Sequence, residues 1–294
     1  MLTDYQQHWG VDQWAAYLTA QELPSMQRSK LLLAALEETK GDALSAKELA
    51  GIAASDPFLC LRLLREAEKR RSRRLGRDTT TPLAAVMQLG VNSFRELLFE
   101  SPETDMENLG LAACESRAVL ASQLGVLWVS ARADIAPDEI AMATLLAETG
   151  ELLLWSFAPE LPQAAHDALA SGRATRSAQA QEMACGFRFR DLTLKCASIW
   201  ELPLLLTHLI QGVDNVRANI CRLCIDTARH LATGPDNPAL PDDLAEAKRL
   251  IPQASLPWLA SHMLGLDEER HATIVQQAEE ILARRGETRD TDVA

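Results

Sequence analysis

The spacing of apolar residues restricts the fold most, because it follows the period of an α-helix along nearly the whole chain. Helix-start signals recur along it. Ser45 is followed three residues later by Glu48, while Asp56 and Thr81 each stand directly before a proline. Such side chains accept hydrogen bonds from the free amides of a first turn, and proline is tolerated there. No stretch alternates like a strand, so the sequence predicts an all-α, multi-helix bundle.

The segments between these signals give the expected helix bounds. The longer helices are predicted over 106–132, 137–157 and 160–171, with further helices near 175–185, 190–200, 203–212 and 215–233. Gly90 is a suitable C-cap for the helix that begins after Thr81. The stretch 233–243 has three prolines and a glycine, so the helix before it must end there.

Composition and charge exclude several classes of protein. With 294 residues, 47% of them hydrophobic, the chain can bury a sizeable core. Its formal charge of -12 argues against general attraction to nucleic acid or anionic membranes. The N-terminus has neither the basic region nor the apolar stretch of a signal peptide, and no 18-residue apolar run is evident. We therefore expect a cytoplasmic protein with no membrane partner.

The six cysteines lie mostly within apolar helical patterns, which predicts reduced, packed thiols. Cys221 and Cys224 form a C-x-x-C, but no second cysteine pair follows to complete a zinc site. Two core contacts are the expected interpretation. His166 and Asp167 are adjacent, as a metal-binding pair could be, but they lie in a small amphipathic helix and are expected to face solvent.

Several segments occur in a characteristic order: "AKELAGIAASDPFLCLRLLREAE", "TTPLAAVMQLGV", "MATLLAETGELLLWSFAP" and "SIWELP". In this order they resemble the HDOD family, bacterial regulatory domains related to HD-type metal-dependent phosphohydrolases. The resemblance covers about residues 22–233 and implies an HDOD/HD-like bundle. Its helical half is about 22–102 and its HD-like half about 103–233, leaving an N-terminal helical extension (1–21) and a C-terminal helical extension with a polar tail (234–294).

The resemblance also locates a degenerate metal site. In catalytic relatives a histidine, an adjacent His-Asp pair and a later aspartate hold a metal ion. In this sequence Ala147 and Glu148 stand at the positions of the His-Asp pair. Glu115 stands at the position of the first histidine and Asp226 at that of the later aspartate. Glu151 stands where the family usually has a lysine. Ala147 has no donor atom, so the ligand set is incomplete. The resemblance therefore implies a signalling module without enzymatic activity or cofactor, which binds another signalling protein.

Alternatives remain for these positions. The carboxylates of Glu115, Glu148, Glu151 and Asp226 could gather around magnesium, giving a residual phosphohydrolase, or the pocket could be a nucleotide or cyclic-dinucleotide sensor. The plainer interpretation makes Glu148 and Glu151, three residues apart, a solvated face of a helix end. We favour this plainer interpretation.

Two further segments could bind a partner. Between Arg62 and Arg77 the chain has eight basic and two acidic residues. A docking patch of Lys69, Arg70, Arg71, Arg73 and Arg74 is one interpretation, and a solvated helix end favoured by the helix dipole is the other. Nucleic acid is not expected, because no aromatic residues interleave the arginines. The aromatic residues of the first twenty positions either pack on the domain or dock a partner.

Overall fold

The computed structural model describes residues 2, 3, 5–70, 79–213 and 215–291. These residues confirm the all-α prediction, and a single isolated bridge between Ser25 and Glu103 is their only β pairing. The helices in chain order are α1 (Val11–Thr19), α2 (Gln27–Lys40), α3 (Ala46–Ala53), α4 (Pro57–Arg70), α5 (Pro82–Phe99), α6 (Leu109–Val129), α7 (Pro137–Leu146), α8 (Thr149–Phe157), α9 (Glu160–Ala170), α10 (Ser177–Cys185), α11 (Phe189–Ile199), α12 (Leu204–Gln211), α13 (Val216–Thr233), α14 (Leu240–Leu250), α15 (Leu256–Ser261) and α16 (Glu268–Thr291).

The predicted helix starts are confirmed. Ser45 and Glu48 form a capping box at α3, in which the Ser45 hydroxyl accepts from the Glu48 amide and the Glu48 carboxylate accepts from the Ser45 amide. Thr81 accepts from the amide of Ala84 at 3.1 Å and so caps α5. Gly90 has a φ of 83°, and there the chain kinks and continues as a second helical stretch within α5.

Asp56 joins two helices of the N-terminal half. Its fully buried carboxylate accepts from the Leu59 amide at 2.9 Å, which caps α4, and from the Met26 amide and the Ser29 hydroxyl at 2.8 Å each. Burial raises the pKa of this carboxyl group, and the hydrogen bonds oppose that rise. One side chain thus fixes where α4 begins and how the start of α2 lies against it.

The predicted single helix over 137–157 is wrong. The chain forms α7 and α8 there, separated at Ala147 and Glu148. The Thr149 hydroxyl donates to the carbonyl of Leu146 at 2.7 Å, so a side chain takes the place of a backbone donor at the end of α7. This break matters for the site, since it turns Glu148 into the protein.

Among the described residues, the segment 137–157 alone has the length and apolar composition of a membrane span. The sequence had predicted no such span. Most of it is buried inside the protein. A mostly buried apolar segment is typical of the core of a soluble domain, and the structure is consistent with that class.

Both terminal extensions pack on the central helices. Trp14 of α1 is 1% exposed against α11, so the aromatic N-terminal segment packs on the domain, and the Trp200 indole donates to the carbonyl of Thr19 at 3.3 Å. At the other end, the Trp128 indole of α6 donates to the carbonyl of Leu259 at 2.9 Å. Residues of α14 and α15 belong to the same apolar core as the central helices.

Gly150 lets α8 lie close against α11. A Cβ atom at this position would stand 2.4 Å from the Phe189 carbonyl oxygen and 2.9 Å from the Thr193 amide nitrogen. The Gly150 amide donates to the Thr193 hydroxyl at 2.9 Å. Gly150 is therefore a contact point between two crossing helices.

We predict that Gly150→Ala lowers the free energy of unfolding by about 2 to 4 kcal/mol, because the methyl group overlaps backbone atoms that cannot rotate away. Urea unfolding measures this change. Gly51→Ala is the matched control, since its added Cβ meets no atom within 4 Å. It lies inside α3 and should stabilise by about 0.5 to 1 kcal/mol. Equal effects of the two substitutions would contradict the predicted close contact.

Candidate functional site

The centre of the candidate site is an ion pair between a buried carboxylate at the start of α8 and a partly exposed arginine of α13. Glu148 precedes the first turn of α8 and is 5% exposed. Its Oε1 accepts from Arg229 Nε at 2.8 Å and pairs with Arg229 Nη2 at 2.7 Å. Its Oε2 lies 3.4 Å from Nε of Arg117 on α6. One carboxylate thus joins three helices through two guanidinium groups.

Glu151 extends this network by one turn of α8. Its Oε1 accepts from Arg117 Nη2 at 2.7 Å and from the Trp155 indole at 3.4 Å. The interpretation of Glu148 and Glu151 as a solvated face is therefore wrong. The break before α8 directs both carboxylates inward, and arginines from other helices compensate their charge.

The other predicted positions separate into two groups. Ala147 and Asp226 line the same cleft as Glu148 and Glu151, and Asp226 lies 3.8 Å from Arg229 Nη1. Glu115 does not join them. Its carboxyl group is buried, and its pKa rises to about 7 through burial and the charge of Asp56, partly offset by Arg28. Glu115 therefore belongs to the surroundings of Asp56 in the N-terminal half.

The residue beside Glu115 takes its place. Cys114 Sγ lies 3.9 Å from Glu148 Oε2, and potential ligand atoms of Cys114, Glu148 and Glu151 lie within 4.8 Å of one another. Successive helix residues point about 100° apart, so an offset of one position moves a side chain to another face. The alternative in which the carboxylates of Glu115, Glu148, Glu151 and Asp226 gather around magnesium fails at Glu115 for this reason.

The residues do not fit a divalent cation. Burial, followed by the charges of Glu151 and Glu148, raises the pKa of the Cys114 thiol well above its ordinary value, so the thiolate ligand form is disfavoured. Both Glu148 oxygens already face guanidinium groups. Burial lowers the pKa of Arg117, but Glu148 and Glu151 raise it more, so this positive charge is retained. Arg117 and Arg229 thus supply the positive charge that a metal ion would otherwise supply to these carboxylates.

The cysteines and the literal His-Asp pair are placed as expected. Cys221 and Cys224 are buried core residues of α13 with free thiols, and burial raises the pKa of Cys221 to about 12. Protonated thiols are poor zinc ligands. His166 and Asp167 are exposed on α9, where Asp167 accepts from the Gln163 amide at 2.8 Å.

The basic segment is only partly within the described residues, since Arg71, Arg73 and Arg74 lie outside them. Lys69 and Arg70 pair with Glu66 on the same helix, at 3.7 and 2.8 Å. Arg70 also donates to the Ser93 hydroxyl at 3.1 Å. Both side chains are largely exposed, so the described end of the patch remains accessible to a partner.

The arrangement of these helices can be compared with known proteins. The HDOD domain family matches residues 23–216. This chain belongs to the HDOD family. The match confirms the resemblance, and it ends at Val216, the first residue of α13, so Asp226 and Arg229 lie beyond the matched residues. No curated protein matches the sequence.

Two solved structures have the same helical fold as this HDOD protein. The MmoQ response regulator from Methylococcus capsulatus (Bath) is 22% identical, with a TM-score of 0.61 over 87% of this chain and 99% of that one. A virulence factor from Campylobacter jejuni is 16% identical, with a TM-score of 0.66 over 88% and 98% of the two chains. At these identities the likeness establishes the fold alone.

Arg117, Arg229 and Cys114 were not among the predicted site residues. A signal for them exists in the pattern. On α13 the buried positions Cys221, Cys224 and Ala228 define an apolar face, and Arg229 borders it. On α6, Arg117 stands three residues after buried Cys114. A charged residue bordering an apolar helix face needs a partner, and Glu148 supplies one for each.

We predict that Arg229→Met lowers the free energy of unfolding by about 2 to 4 kcal/mol, because it leaves the buried Glu148 carboxylate with Arg117 alone. A double-mutant cycle with Glu148→Met should give a coupling energy above about 1 kcal/mol. Arg249→Met is the control, since its ion pair with Glu246 lies on the surface and should be worth below about 0.5 kcal/mol. Additive effects at Glu148 and Arg229 would show that the pair is not coupled.

Proposed function

We propose that this HDOD protein is a non-catalytic regulatory domain that works in the cytoplasm by binding another protein of a bacterial signalling pathway. The observation that carries the proposal is the ion pairing of Glu148 with Arg229 and Arg117. Metal-dependent phosphoester hydrolysis needs a cation that polarises phosphate and activates water. Two guanidinium groups supply positive charge here, but they cannot generate a metal-bound hydroxide.

The absence of a ligand atom at position 147 supports the same conclusion. The alanine methyl group cannot bind a metal in any protonation state, and the adjacent Glu148 is already paired. With the position of the family's metal ligands filled by ion pairs, recognition of a partner at the surface is the means of action that we propose. MmoQ, which shares the fold, is named a response regulator, and this class of signalling protein suits a domain that acts through contacts.

The accessible basic residues at the end of α4 are the proposed docking surface. Arg62 and Arg65 at the start of the basic segment hold the domain together: Arg62 Nη1 donates to the Leu23 carbonyl at 2.5 Å, and Arg65 stacks on the Trp200 ring at 4.5 Å. Among the described residues, Lys69 and Arg70 contact Glu66 and Ser93 on the surface. The segment thus divides into structural arginines and exposed ones, and the exposed ones can contact an acidic partner.

The purified protein should not hydrolyse bis(p-nitrophenyl) phosphate with added Mn²⁺, Mg²⁺ or Ni²⁺ above the rate of the same metal in buffer. After dialysis, mass spectrometry of the metal content should give well below one ion per chain. The reason is electrostatic, because Arg117 and Arg229 already face both oxygens of Glu148 and would repel a divalent ion held by this carboxylate. Turnover that Glu148→Gln abolishes would refute the non-catalytic proposal.

Affinity capture from host lysate should retain a stoichiometric protein, and Arg70→Glu with Arg71→Glu should lower its recovery at least about tenfold, because each reversal replaces an attractive contact with a repulsive one. The control reverses two exposed arginines elsewhere, Arg173→Glu with Arg249→Glu, and should leave recovery unchanged. Mass spectrometry with labelled standards gives the recovery. Equal recovery from both variants would remove the basic segment from the proposal.

A further inference from the structure

The cleft beside the ion-pair network has two connected lobes. The first has a volume of about 300 Å³ and is called the polar lobe; the second has about 530 Å³ and is called the apolar lobe. Both are lined by Glu151, Ser177, Gln181, Phe189 and Arg229. The two lobes therefore adjoin each other across these five residues, and together they have the dimensions of a site for a small organic molecule.

The polar lobe is richer in positive charge than the rest of the chain. It is lined by four arginines and three carboxylates, namely Arg188, Arg190, Arg222, Arg229, Glu148, Glu151 and Asp226. The whole chain has the opposite balance, with 29 basic and 41 acidic residues. Arg117, just behind the lobe, neutralises a further part of the acidic charge. The lobe is thus a positively charged pocket in an acidic protein.

Two of these arginines are available to a ligand. Arg229 is committed to Glu148, and Arg188 pairs with Glu182 at 2.7 Å. Arg190 and Arg222 are exposed, and neither forms an ion pair with a carboxylate of a described residue. A guanidinium group matches phosphate and carboxylate in shape and donates two parallel hydrogen bonds to either.

The apolar lobe has one apolar wall, and Arg117, Gln163 and His166 also line this lobe. Leu109, Trp155, Pro162 and Leu169 line it, and Leu109 and Leu169 are exposed leucines at 79% and 37%. Phe189 lies between the two lobes. Such a wall gains free energy by covering an apolar group of a ligand.

We propose that this cleft binds a small organic anion, whose phosphate or carboxylate group is held by Arg190 and Arg222 and whose apolar part lies in the apolar lobe. The inference goes beyond the proposed function and does not depend on it. A ligand here would contact α9, α10, α11 and α13 together, next to the network that joins α6, α8 and α13.

Isothermal titration calorimetry on the full chain tests the proposal with phenyl phosphate and benzoate as probes, and phenol as the uncharged comparison. One probe or both should bind one to one with a dissociation constant below about 1 mM, and phenol should not bind. The tighter of the two probes identifies the preferred anionic group. Absence of binding by both would overturn the proposal.

Two variants locate the binding. Arg190→Gln with Arg222→Gln should weaken the anionic probes at least about tenfold, while Arg173→Gln with Arg249→Gln should leave them unchanged. Leu169→Asp should weaken the binding of phenyl phosphate more than that of inorganic phosphate, because only phenyl phosphate has a ring for the apolar lobe.

All these positions are exposed, and unchanged thermal unfolding would verify folding. Binding that the first double variant does not alter would place it elsewhere and overturn the proposal. Failure here would leave the lysate capture experiment unaffected, so the two proposals are tested separately.

Discussion

The structure of the HD-like half depends on the compensation of one buried carboxylate. Glu148 could not remain ionised inside the protein without partners, since an unpaired buried charge is strongly destabilising. Arg229 and Arg117 come from helices far apart in sequence, and their fork geometry requires α6, α8 and α13 to meet in one arrangement. The close approach of α8 to α11 at Gly150 adjoins this arrangement, and the cleft is lined by Glu148, Arg229 and the same residues of α11, Phe189 and Thr193.

Most of the helix order could be predicted, because its signals are local. The capping side chains Ser45, Asp56 and Thr81 act within the next three residues, so a short window contains the whole interaction. The division between α7 and α8 could not be predicted in the same way. Its local sequence is apolar and compatible with one helix, and the break becomes favourable only when Glu148 finds arginines contributed by α6 and α13.

The candidate site was predicted in part. The family resemblance predicted a shared site for Ala147, Glu148, Glu151 and Asp226, and all four line one cleft. The resemblance also assigned Glu115 to this site, but Cys114 is the residue of α6 that faces Glu148. Glu115, one position further along the helix, faces Asp56 instead. The arginines were not predicted because the resemblance identifies only positions that bind the metal ion in catalytic relatives. An arginine that compensates a carboxylate is not one of those ligands.

The ion-pair network also has an evolutionary consequence. For a metal ion to bind here, substitutions would have to add ligands at Ala147 and on α6 and also remove two arginines. Removing either arginine first leaves the buried Glu148 carboxylate with one guanidinium partner, while adding a histidine first places it beside an existing positive charge. The first step in either order is expected to lower stability. The pairing that stabilises the present protein thereby disfavours the stepwise gain of a metal site.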